Sequence, residues 1–170
     1  MNASRMDSTQ LAATLDTILL AEEAAAGVLL CALEAEAEAL KGRDAATLTL
    51  ATEEKVEALE KLESIEQERR DFCARIGAGP GQAGMDAWLA AYAGSGGQAT
   101  GLRERWTSLT ELLRRSREIN QANGLVVASL QRRVQQALSL MRTGSTEPPA
   151  YGPEEATVAA PSPVRTIARA

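Results

Sequence analysis

From Leu102 to Met141 inward-type positions return at alternating spacings of four and three: Leu102, Trp106, Leu109, Leu113, Ser116, Asn120, Asn123, Val127, Leu130, Val134, Ala137 and Met141. No proline interrupts the run. At 1.5 Å per residue such a helix is roughly 60 Å long. A second stripe at sevens, Leu112, Ile119 and Val126, then Leu140 after a break at Arg133, predicts apolar contact with more than one neighbour. A helix of that length is one rail of an elongated bundle, and the rest of the chain has to supply the other rails.

Two earlier segments do so. A helix over about 9–41 carries the stripe Ala12, Leu15, Leu19, Glu22, Ala26, Leu29, Leu33, Glu36 and Leu40. Its two carboxylates are expected at edge positions facing Arg or Lys of another helix. Gly42 has the place of a C-terminal cap and Asp44 that of an N-cap, so a second helix over 45–76 runs back against the first. There Leu48, Val56, Leu59, Leu62, Ile65, Phe72 and Ile76 are expected inward, and the glutamates between Glu53 and Glu68 outward. Between Gly77 and Gly101 eight glycines and Pro80 mark a connector, with one short helix over about 83–93 that sets Trp88 and Tyr92 on one face. The fold class is therefore all-α: an elongated antiparallel three-helix bundle or coiled coil over 1–142, the last helix spanning about 101–142. Residues 143–170, which hold five of the six prolines, are expected to be a flexible partner-binding tail.

Charge is unevenly divided. Residues 1–76 hold sixteen acidic and eight basic side chains, and residues 77–147 hold five and eight. An acidic hairpin against a basic third helix follows. Arginines interleaved with apolar stripes, and few aromatic residues for stacking, argue against nucleic acid as a partner.

The chemistry of catalysis is thin. Histidine is absent, which removes the usual triads, imidazole bases and histidine metal ligands. Cys31 and Cys73 fall roughly 28 Å apart in an antiparallel hairpin, too far for a disulfide and unable to make a zinc site. Gly79-Pro80-Gly81-Gln82-Ala83-Gly84 matches a dinucleotide fingerprint as a string but follows a helix, with no βαβ unit around it. No enzyme, cofactor or metal is expected. The start of the chain shows no export signal, and its longest apolar run, Ala24–Leu33, is too short to enter a bilayer as a span. The expectation is a cytoplasmic binding protein.

Two stretches bring a family into view. Thr52-Glu53-Glu54-Lys55, followed by Leu59, Leu62 and Glu66-Gln67-Glu68-Arg69-Arg70, resembles the second helix of FlgN-type flagellar export chaperones. Arg105-Trp106, Leu109-Thr110 and Ile119-Asn120-Gln121-Ala122-Asn123-Gly124, then Gln131, Arg132 and Gln136-Ala137-Leu138, resemble the third. Tyr151-Gly152-Pro153 is similar to the tyrosine–glycine element that follows the last helix in that family. The resemblance covers about 48–153. It implies a cytoplasmic chaperone that binds hook-associated subunits, prevents premature polymerisation and delivers them to components of the flagellar type III export apparatus. It places substrate binding in the C-terminal part and a gate-docking role on Tyr151. Expected partner-binding residues are Asn120, Asn123, Val127, Leu130, Val134, Leu138 and Met141 on the helix, and Tyr151, Gly152, Val164 and Ile167 beyond it. Asn120, Asn123 and Ser116 have a second reading as polar layers that set helix register. The competing function is a self-associating coiled-coil scaffold, in which the free stripe is a dimer seam; weak self-association fits either reading.

Overall fold

The computed structural model describes residues 8–92 and 97–143. They form four helices: α1 (Ser8–Gly42), α2 (Ala45–Ile76), α3 (Gly81–Tyr92) and α4 (Gly97–Thr143). No strand occurs among the described residues. The chain divides into two compact units, Met1–Arg133 and Val134–Ala170. Of the expected tail, 143–170, Thr143 is the last residue of α4, and the rest, with Tyr151, Gly152, Val164 and Ile167, lies outside the described residues.

The first unit is organised around α1. Every member of its predicted stripe from Ala12 to Leu40 is buried, with Leu15, Leu19 and Ala26 completely so. Each such leucine contributes about 1.5–3 kcal/mol on burial. Around the stripe gather Ala58, Leu62, Phe72 and Cys73 of α2, Met85 and Leu89 of α3, and Leu102, Trp106 and Leu109 of α4. The expected start of the last helix was near 101, but α4 begins at Gly97, because burial of Ala99 and Leu102 holds the first turn despite its glycines. On α3 the rings of Trp88 and Tyr92 stack at 5.0 Å and 7°.

Helix directions follow from ion pairs. Arg69 Nε donates to Glu22 Oε2 at 2.7 Å and Lys55 Nζ to Glu36 Oε1 at 2.5 Å, so α2 runs antiparallel to α1. Arg105 of α4 reaches Asp16 and Glu23, Arg115 reaches Glu34, and Asn123 reaches Glu36, so α4 runs in the same direction as α1. These links are the acidic-hairpin-to-basic-helix contacts that the charge division predicts.

The turn between α1 and α2 differs from expectation. Gly42 stays within α1, and the left-handed residue is Arg43, at φ 54°. Asp44 is the N-cap as anticipated: Oδ1 accepts from the Ala46 and Thr47 amides at 3.1 Å each, and the Thr47 hydroxyl donates to Oδ2 at 2.6 Å. The Thr47 hydroxyl, helped by those amides, holds the Asp44 carboxyl below its ordinary value of 3.8. A depressed acid stabilises the fold above its unfolded pKa and loses that contribution as pH falls through the folded one. Asp44→Ala is therefore expected to lower the urea midpoint by a constant amount above about pH 4, with the gap to the native chain narrowing in more acid buffer.

At the end of α2, Gly77 adopts φ 75°, and the Ala78 amide donates to Cys73 O at 2.9 Å, the pattern of a left-handed helix stop. The fingerprint-like string then folds on itself. A Cβ on Gly84 would sit 2.0 Å from Gly79 O, so only glycine permits the first turn of α3 to lie against Gly79. Those glycines serve a close backbone crossing.

Candidate functional site

Two buried polar clamps hold the long helices in register. Glu22 is 0% exposed, and Arg69 is buried beside it. The Arg69 guanidinium lies 5.2 Å from the Trp106 ring centre, and Trp106 Nε1 donates to Asp86 Oδ1 at 2.7 Å. One chain of contacts thus ties α1, α2, α4 and α3 together. Burial pushes the Glu22 carboxyl above its ordinary range, against the opposing pull of Arg69, and its second oxygen, Oε1, has no partner. Fourteen residues on, Glu36 receives Lys55 and the Asn123 amide, which also donates to Leu33 O at 3.0 Å. Both glutamates meet cations of α2 as expected, but they lie inside the packed unit rather than at its edge. Neither clamp holds the arrangement of a catalytic pair, and no cluster of metal-ligating side chains occurs among the described residues.

The helix residues proposed for partner binding separate into three kinds. Asn123 is buried, with its amide donating to Leu33 O and Glu36 of α1. Asn120 is exposed, while Val127 and Leu130 are partly covered. In the second unit, every residue from Val134 to Arg142 is exposed. Val134, Leu138 and Met141 recur there at helical spacing with 58%, 47% and 81% of their surfaces open, and Leu140 is 44% open. Val134, Leu138 and Met141 thus leave an apolar stripe open along one face of the helix.

Sequence reasoning missed one apolar face. Val56 and Leu59, expected inward on α2, are 47% and 46% exposed, because the flank of α2 that bears them is not closed over by another helix. Leu48, Ile65 and Ile76 are partly covered, and Leu62 and Phe72 are buried as expected.

No helix among the described residues is long and apolar enough to cross a membrane. Four helices with buried clamps, the last of them carrying open apolar side chains near its end, have the build of a helical protein-binding module. The family described as FlgN protein matches residues 6–159, and the chain belongs to that family. Membership places it among the chaperones of bacterial flagellum biogenesis and type III protein export, a chaperone family rather than an enzyme family. No curated protein and no solved structure matches the chain.

Proposed function

We propose that this protein is a cytoplasmic export chaperone that binds hook-associated subunits of the hook–filament junction, keeps them from polymerising early and delivers them to the export gate. The observation that carries the reading is the open apolar face Val134, Leu138 and Met141 on a helical segment in a chain of the FlgN family. Subunits that polymerise through amphipathic terminal helices need a surrogate helix surface while they wait, and an exposed apolar stripe supplies one. Val127 and Leu130, half-covered on α4, are further contacts in this reading. In the first unit, α1, α2 and the α4 residues up to Arg133 act as an antiparallel three-helix bundle. Residues 143–170 act as the partner-binding tail, with Val164 and Ile167 as apolar anchors and Tyr151-Gly152 as the element that docks on the export gate. No nucleotide, metal or cofactor takes part.

Co-purification tests the assignment. The full chain, mixed with purified hook-associated subunits, is expected to elute as a complex and to suppress subunit polymerisation in light scattering. Removal of residues 143–170 is expected to leave the first unit folded and to weaken the complex. The scaffold alternative gains from the same exposed face. It would be favoured by a dilution-stable dimer that protects Val134–Met141 and binds no subunit.

A further inference from the structure

A groove of about 370 Å³ opens in the first unit between α2 and α4. Leu29 and Leu33 of α1 form its floor, Leu59 and Leu62 line the α2 side, and Trp106 and Leu113 line the α4 side. Two polar features distinguish it from a packing gap. The Ser116 side chain lines the groove with only 3% of the residue exposed, and its hydroxyl has no hydrogen-bond partner. A buried hydroxyl without a partner is costly, and in a groove wall it is satisfied when something enters. The second feature is charge. Lys55, Glu66 and Arg69 border the groove and are all ion-paired, whereas Arg117 has no carboxylate partner among the described residues. The uncommitted charge at the rim is therefore positive. From Trp106 to Asn120 the groove follows α4 for about 21 Å, four turns of an α-helix.

We infer that this groove is a second grip on the client, distinct from the end of α4, and that it takes one amphipathic client helix of about four turns bearing a carboxylate for Arg117. Leucine-type side chains of that helix cover Leu59 and Leu113, its acid pairs with Arg117, and a polar atom meets the Ser116 hydroxyl. The occupant's identity as part of a flagellar client rests on the export reading above; its chemistry rests on the groove.

The test titrates the full chain calorimetrically with 15-residue peptides tiled across the terminal segments of hook-associated subunits, beside the full-length subunits. A leucine-rich, acid-bearing peptide is expected to bind the native chain. Leu59→Glu and Arg117→Glu should each weaken it at least tenfold, and Leu50→Glu, at an exposed leucine of α2 outside the groove, should leave it unchanged. Leu59 is half-exposed and Arg117 is not ion-paired, so both variants are expected to keep native helicity, verified by circular dichroism. Ser116→Ala should weaken the peptide about threefold without lowering the melting temperature of the free protein, a combination that a purely structural serine does not produce. Peptide binding undiminished in the Leu59 and Arg117 variants overturns the groove and leaves the export reading in place. So does a stable full-length complex with no peptide binding. Absence of both kinds of binding removes both readings.

Discussion

Val134→Asp is expected to fold as the native chain does and to lose hook-associated subunits in a pull-down. Val134 is 58% exposed within a helix, so aspartate there displaces no core contact. In the complex the same carboxylate would have to be buried against apolar client surface without a partner, at a cost of about 2–4 kcal/mol. That corresponds to about thirtyfold to a thousandfold in affinity. Titration calorimetry with one purified subunit measures it, and circular dichroism checks that helicity is retained. Native affinity in this variant would sink the proposed α4 surface.

The second large effect is structural. Arg69→Met is expected to destabilise the first unit by about 3–5 kcal/mol at neutral pH, because it leaves the Glu22 carboxylate buried with no counter-charge. The loss should be partly reversed by acid. Glu22 is already raised by burial, and without Arg69 it rises further. A folded acid with a raised pKa binds a proton more readily than the unfolded chain, so stability grows as pH falls through the folded pKa toward the unfolded one. Urea unfolding from pH 7 down to pH 5 should therefore show the variant closing part of the gap. Replacing both partners, Glu22→Leu with Arg69→Met, should restore most of the stability at pH 7, because two apolar side chains need no compensation. A double variant as unstable as the single one would show that the pair's value lies in the Arg69 stack on Trp106.

What could be read from residues alone follows from how local each cause is. The α1 stripe was legible because a central helix is covered on most sides, so its spacing and its burial coincide. Asp44 was legible because an N-cap is satisfied by its own next three residues. Gly42 misled, since the turn required a left-handed residue one position later and Arg43 accepts it. Val56 and Leu59 misled for a different reason. Their spacing is that of core residues, and only the separation of α2 from α4 leaves them open. The same holds for the polar layers of α4, where Asn123 is inside and Asn120 outside on one periodic stripe. Periodicity assigns a side chain to a face, but the placement of a neighbouring helix decides whether that face is closed. The groove and its orphan hydroxyl are consequences of that placement, and no spacing rule announces them.

The two buried carboxylates have a consequence for how length can vary in a chain of this kind. Glu22 and Glu36 stand fourteen residues apart, and so do their mates Arg69 and Lys55. They work as a plug with two pins: sliding one helix along the other by a whole number of heptads engages at most one. Insertions or deletions between the pins must therefore arrive in equal measure on both sides of the hairpin. Only past the buried stripe, before Ala12 or after Leu40 on α1, is that helix free to change length alone.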